Sequence, residues 1–210
     1  MTNDMTVIVL LHGLGVDWWS MKPLEVYLRY IERVSTRIVL PSLDYSALPS
    51  VDACADVVEA ALDDGDDDLI IVGQSMGGIV GKRIAERKKK RVALLLTIAS
   101  PHHGATLVRS LRRSALRTFY EWAWSSSAQH HAELERRLAT VQRPPPCAYH
   151  TYSTEWFVGT GFDGCVYVPE TRFDERTHTH FVCGDHRFIV ADVRLMRHVA
   201  ATIRRESNED

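Results

Sequence analysis

Long hydrophobic runs are missing from this sequence. The longest, Met5–Leu11 and Val92–Ala99, are far shorter than the roughly 18 residues that suggest a membrane-spanning helix. No Lys or Arg precedes the first apolar run, so the amino terminus does not have the pattern of a secretory signal. We therefore expect neither a transmembrane segment nor export.

An excess of charge of one sign is also missing, and cysteines are few. The 25 Lys and Arg residues and the 27 Asp and Glu residues leave a net charge of −2, which provides no basic field for binding nucleic acid. The four cysteines form no C-x-x-C pair and stand mostly in apolar contexts, which is typical of free thiols in a reducing compartment. We expect a cytoplasmic protein with no nucleic-acid partner.

What the sequence does contain is an alternation of β-rich runs with segments of helical periodicity. This alternation predicts an α/β fold with a doubly wound, mostly parallel sheet of about six strands. The length of 210 residues fits one domain, 1–210. The predicted strands are Thr6–Leu11, Arg37–Leu40, Leu69–Gly73, Val92–Ile98, Cys147–Tyr152 and His178–Cys183. The predicted helices are Trp18–Arg33, Val51–Leu62, Met76–Lys88, one or two within Leu107–Leu138, and Val193–Arg204.

Two charge runs could suggest ion sites. Asp63–Asp68 lacks the ligand spacing of an EF-hand loop, and we interpret it as a solvated turn rather than a calcium site. Arg87–Arg91 stands at the carboxyl end of a predicted helix, where positive side chains are favourable. An anion site is therefore the less favoured interpretation of the second run.

The strongest chemical signal is the motif Gly73-Gln74-Ser75-Met76-Gly77, which stands between a predicted strand and a predicted helix. A turn this tight needs glycine on both sides, and it leaves the serine hydroxyl exposed at the start of the helix. Ser75 is therefore a candidate nucleophile. A glycine turn that only packs strand against helix is the alternative.

A serine nucleophile also needs donors for the oxyanion that develops on the attacked carbonyl. Met76 presents its backbone N–H at the start of the helix, and the loop His12-Gly13-Leu14-Gly15 can aim the N–H of Leu14 at the same point. We predict an oxyanion hole made by the amides of Leu14 and Met76. An ordinary glycine turn is the alternative for this loop.

These motifs resemble those of the α/β-hydrolase superfamily, in particular its small lipases and esterases, which have an H-G-L-G loop and a G-x-S-x-G turn. Ser100-Pro101-His102-His103-Gly104 is similar to the S/T-P-H-x-G segment of that group, and Asp163-Gly164-Cys165-Val166 is similar to its D-G-x-V acid loop. His186 stands after the last predicted strand, where these enzymes have their catalytic histidine. The resemblance implies a catalytic triad of Ser75, Asp163 and His186, in the chain order of that fold.

Such a triad hydrolyses esters through an acyl-enzyme. His186 would take the proton of Ser75, and Asp163 would orient the imidazole. We expect no cofactor and no metal, because side chains, backbone amides and water supply the whole reaction. The same residues would serve a thioesterase or an acyltransferase, and a catalytically silent binding module is the alternative outside enzymes.

Several other residues compete for these roles. His180 is the second candidate for the base, and His178 with His180 alternates as on a strand and could begin a metal site, although no third ligand is evident. We expect His12 to anchor the oxyanion loop, and His102 and His103 to order the loop beside the site. The alternative acids are Asp185, which abuts His186, Asp174, and Asp44, which precedes Ser75 against the usual order.

Aromatic side chains favour an apolar substrate. Trp18 and Trp19 follow the oxyanion loop, and Trp122 and Trp124 lie in the long segment after His103. All four are candidate substrate contacts, with packing between helices as the alternative. In related hydrolases an insertion at this point forms a helical cap, which the resemblance places at 105–140. We expect a small-molecule or lipid-like substrate, a carboxylic ester with an apolar acyl group.

Overall fold

A parallel six-stranded sheet forms the centre of the protein. The computed structural model describes residues 6–45, 47–63, 68–87, 91–104, 106, 143–182 and 184–207. The strands pair in the order β2-β1-β3-β4-β5-β6, and every pair is parallel. They are β1 (Thr6–Leu11), β2 (Arg37–Val39), β3 (Asp68–Gln74), β4 (Arg91–Ile98), β5 (Ala148–Glu155) and β6 (His178–Val182). The predicted α/β class and the number of strands are confirmed.

Five α-helices accompany the sheet within the described residues. They are α1 (Lys22–Val26), α2 (Val51–Ala60), α3 (Met76–Arg87), α4 (Val168–Thr171) and α5 (Val193–Ser207). The predicted first helix is divided into a 3-10 turn at Trp18–Met21, then α1, then a π-helical turn at Tyr27–Ile31. The predicted helices and cap in Leu107–Leu138 lie outside the described residues. No described helix is both long and apolar enough to cross a membrane.

Side chains that alternate along the strands give the sheet two apolar faces. Val9 and Ile71 belong to a buried cluster that includes residues of α2 and α3. Ile8 and Ile70 belong to a second cluster, with residues of α1 and α5. Because helices cover both faces, β3 is buried along its whole length, which explains its continuous apolar run.

Strand β5 continues beyond its predicted end at Tyr152. Ser153, Thr154 and Glu155 pair with β6 and are buried despite being polar. A prediction from hydrophobicity alone therefore underestimates the length of this strand.

The topology brings the candidate motifs to one edge of the sheet. All strands are parallel, so the loops that follow β1, β3, β5 and β6 emerge at the same edge. The strand order reverses between β1 and β3, and such a reversal opens a crevice at the carboxyl ends of the strands. The motifs at Gly13, Ser75, Asp163 and His186 all follow these strands.

Candidate active site

Ser75 lies on the turn that joins β3 to α3. Its φ is +50°, a left-handed conformation that residues other than glycine rarely adopt. The motif glycines are required sterically: a Cβ on Gly73 would lie 2.5 Å from the backbone of Gly77, and a Cβ on Gly77 would lie 2.4 Å from the carbonyl oxygen of Leu11. The turn is therefore strained and tightly packed, and it leaves Ser75 partly exposed at the amino end of α3.

The imidazole of His186 lies between Ser75 and Asp163. Its Nε2 is 3.1 Å from Ser75 Oγ, and its Nδ1 is 2.7 Å from Asp163 Oδ2. Because a carboxylate only accepts hydrogen bonds, Nδ1 donates to Asp163 and Nε2 is left to accept the Ser75 proton. His186 is 8% exposed and Asp163 is 1% exposed, so little water competes for these two bonds. The structure thus brings together the three residues that the motifs suggested.

The loop that carries Asp163 fixes the direction of its carboxylate. Oδ1 accepts hydrogen bonds from the amides of Cys165, at 2.9 Å, and Val166, at 2.7 Å. The carbonyl of Asp163 also accepts the amide of His186, at 3.1 Å. These bonds occupy one carboxylate oxygen and leave the other directed at the imidazole.

The loop after β1 lies against the turn at Ser75. A Cβ on Gly13 would lie 3.1 Å from the Cβ of Ser75, so a larger residue here would require one of the two segments to shift by a few tenths of an ångström. Leu14 follows this contact, and no described group accepts a hydrogen bond from its amide. The amide of Met76 belongs to the first residue of α3, where helix amides lack partners within the helix.

Comparison of the chain with known protein families agrees with this geometry. The profile of the alpha/beta hydrolase family matches residues 8–207. The chain belongs to the alpha/beta hydrolase family. This membership confirms the resemblance drawn from the sequence motifs and supports a hydrolase activity.

Several known proteins are similar to this chain. Over 98 residues it is 32% identical to the pimeloyl-[acyl-carrier protein] methyl ester esterase of Vibrio campbellii; the match covers 44% of this chain and only 36% of the relative. The fold is similar to a thermophilic esterase from Thermogutta terrifontis, with a TM-score of 0.66 and 15% identity, covering 96% of this chain and 90% of that one. A lipase from Bacillus licheniformis gives a TM-score of 0.62 with 15% identity, covering 96% and 92%.

His12 ties the loop after β1 to the segment after β2. The Leu43 amide donates to His12 Nε2 at 3.0 Å, so Nδ1 carries the proton and donates to the Gly13 carbonyl at 3.0 Å. The Tyr45 hydroxyl donates to the His12 carbonyl at 2.7 Å. Burial lowers the pKa of His12, which keeps the ring neutral and able to accept a bond.

Gln74 is a residue of the site that the sequence reasoning missed. Its Nε2 donates to the carbonyl of His186 at 2.7 Å, and so it ties the loop of His186 to the turn of Ser75. The side chain is buried. Gln74 occupies a variable position of the G-x-S-x-G motif, and only the long-range contact with residue 186 identifies its role.

The competing histidines have other partners. His178 Nε2 and His180 Nδ1 each lie 2.9 Å from Ser153 Oγ, within a polar cluster on β5 and β6. In the part of the chain that the structure describes, no three His, Cys, Asp or Glu side chains are placed to hold a metal ion. His102 bonds to Thr97 at 2.9 Å, and His103 to the Arg172 carbonyl at 2.7 Å, which orders the loop after β4.

Among the four candidate acids, Asp163 is the one bonded to the imidazole. The carboxylate of Asp185 bonds to the indole of Trp156, that of Asp174 to the amide of Thr177, and that of Asp44 to the amide of Ala47. Geometry, and not only chain order, therefore separates Asp163 from the three alternative acids.

The structure describes two of the four aromatic residues that we predicted to contact the substrate. Trp18 and Trp19 begin the 3-10 turn that follows the loop after β1, and they are 38% and 62% exposed. Trp122 and Trp124 lie outside the described residues. A role of these side chains in substrate binding stays a prediction.

Proposed function

We propose that this α/β hydrolase is a serine esterase that cleaves carboxylic esters of apolar acyl groups. The proposal assigns Ser75 as the nucleophile, His186 as the base and Asp163 as the acid that orients it. The observation that supports it most directly is the pair of contacts at His186, 3.1 Å to Ser75 Oγ and 2.7 Å to Asp163 Oδ2. A binding module has no need for a buried proton relay that ends at a partly exposed serine.

In the proposed reaction His186 Nε2 takes the Ser75 proton while Oγ attacks the ester carbonyl. The negative charge on the carbonyl oxygen is stabilised by the amides of Leu14 and Met76. His186 then gives its proton to the departing alkoxide, which leaves an acyl-enzyme and an alcohol. A water molecule repeats the cycle, with His186 as base again, and releases the carboxylic acid.

The substrate side of the proposal rests on the aromatic residues. Trp18, Trp19, Trp122 and Trp124 are proposed walls of an apolar acyl site, with 105–140 as a cap within a single domain, 1–210. An ester substrate is in keeping with the name of the Vibrio campbellii relative. A cytoplasmic location stays a prediction from the cysteine contexts.

The test is hydrolysis of p-nitrophenyl esters from short to long acyl chains, with matched thioesters, by wild type and Ser75→Ala. We expect turnover of esters that rises with acyl chain length and is abolished in Ser75→Ala. Faster turnover of thioesters would favour a thioesterase, and transfer of the acyl group to an added alcohol rather than water would favour an acyltransferase. Equal turnover by wild type and Ser75→Ala would contradict the proposed nucleophile.

A further inference from the structure

The side chain of Trp156 connects the loop of the acid with the loop of the base. It follows β5 directly, and its backbone amide donates to the carbonyl of Phe162, at 3.0 Å, where the acid loop begins. Its indole ring lies over Gly164, since a Cβ there would be 2.8 Å from the ring. Its Nε1 donates to Asp185 Oδ2 at 2.8 Å. One side chain thus touches the residue after Asp163 and the residue before His186.

Asp185 is suited to hold this bond. Its other carboxylate oxygen accepts the amide of Arg187 at 2.8 Å, and its carbonyl accepts the amide of Ile189 at 2.9 Å. Burial alone would raise the pKa of Asp185, but hydrogen bonds from the Arg187 amide and from Trp156 outweigh burial and lower it. Asp185 is therefore a charged acceptor directly before His186, and hydrogen bonds to charged acceptors are the stronger class.

Glu155, at the end of β5, bonds to the loop that leads to Asp163 and to the loop that leads to His186. The Glu155 carboxylate accepts the amides of Gly159, at 3.0 Å, and Gly161, at 2.6 Å, in the loop that leads to Asp163. The carbonyl of Glu155 accepts the amide of Gly184 at 2.9 Å, just before the base. The strand end is thus fixed, and the Trp156 ring projects from a defined position.

We propose that Trp156, through its bond to Asp185 and its contact with Gly164, is a positioning residue that holds Asp163 and His186 at their bonding distance. This inference rests on the proposed function. Trp156 is 47% exposed, so its contacts with Asp185 and Gly164 are made at the surface of the protein. Trp156 thus joins the two loops that carry Asp163 and His186, in addition to the direct bonds between those two residues and the bonds of Glu155 to both loops.

The test compares Trp156→Phe, which removes the N–H donor and the outer indole ring that contacts Gly164, with Asp185→Asn, which keeps that ring and changes only the acceptor, and with the double variant. Val158→Ala is the matched control, because Val158 is an exposed residue of the same loop. We expect kcat for a p-nitrophenyl ester to fall about tenfold in Trp156→Phe, less than the roughly 10²-fold that a 1 Å misplacement of a catalytic group can cause. KM and the thermal midpoint should change little, and the double variant should lose no more than the worse single variant.

A second readout separates positioning from folding and from the proposed function. The proton on His186 Nδ1, bonded to Asp163, should give a downfield resonance that weakens or disappears in Trp156→Phe and persists in Val158→Ala. An unchanged resonance and kcat in Trp156→Phe would overturn the inference, as would fully additive losses in the double variant. If wild type hydrolysed no ester, the proposed function would fail, and the resonance would still decide whether Trp156 positions the pair.

Discussion

Replacing Asp163 by Asn changes the chemistry of the buried acid while keeping its shape. The aspartate satisfies two sets of donors, the amides of Cys165 and Val166 at Oδ1 and the Nδ1–H of His186 at Oδ2. An asparagine has only one acceptor oxygen. If that oxygen keeps the two loop amides, the NH₂ group faces His186 and stabilises the tautomer with its proton on Nε2, which cannot take the Ser75 proton.

We expect kcat to fall by about 10⁴-fold, the loss typical of this substitution in a serine triad. That loss corresponds to about 5.5 kcal/mol of transition-state stabilisation. The assay is the steady-state hydrolysis of a p-nitrophenyl ester, with circular dichroism to show that the variant is folded.

The neighbouring carboxylates serve as controls. Asp174→Asn and Asp44→Asn remove carboxylates that bond to loop amides away from the imidazole, and they should keep the wild-type kcat. A folded Asp163→Asn protein with a kcat within tenfold of wild type, a change of only about 1.4 kcal/mol, would refute the reasoning. A loss in Asp174→Asn as large as that in Asp163→Asn would also refute it.

Three further predictions concern the glycines and the histidines. Gly13→Ala should fold but lose up to about 10²-fold in kcat, because its Cβ would lie 3.1 Å from the Ser75 Cβ and displace the oxyanion loop; an unchanged kcat would show that the loop is not involved. Gly77→Ala should lower the free energy of unfolding by about 1–3 kcal/mol in urea titrations, because the new Cβ would be 2.4 Å from the Leu11 carbonyl oxygen. Burial, followed by the positive charge of Arg172, lowers the pKa of His178 from 6.5 to about 4. Since the unfolded chain then binds a proton that the folded protein does not, stability should fall as the pH drops from 6.5 to 4, by less than the roughly 3 kcal/mol of a fully buried ring because His178 is only partly buried. His178→Gln should reduce that slope, and the same slope in both proteins would contradict the assignment.

The fold was predictable where one physical signal dominates. Strands such as Thr6–Leu11 are buried on both faces, so their apolar runs mark them plainly. The end of β5 was not predictable, because Ser153 and Glu155 are buried through hydrogen bonds with histidines of β6 and glycine amides. The breaks in the first helix were missed because local periodicity does not show where a 3-10 or π turn interrupts it.

The candidate site was predictable to the extent that short motifs carry it. Ser75 follows from glycines that the turn requires, and Asp163 and His186 from segments similar to those of a known family. Gln74 and Trp156 were not found, because their partners lie 112 and 29 residues away in the chain. Such contacts depend on how separate loops meet at the sheet edge, and no local pattern encodes that meeting.

The central claim is that Ser75 is a nucleophile activated by His186. The most direct measurement is reaction with a fluorophosphonate probe, followed by mass spectrometry of the labelled peptide, for wild type, Ser75→Ala and His186→Ala. We predict one adduct on Ser75 in wild type, none in Ser75→Ala, and much slower labelling in His186→Ala. A folded wild type that is not labelled, or an adduct that forms equally in Ser75→Ala, would contradict the account.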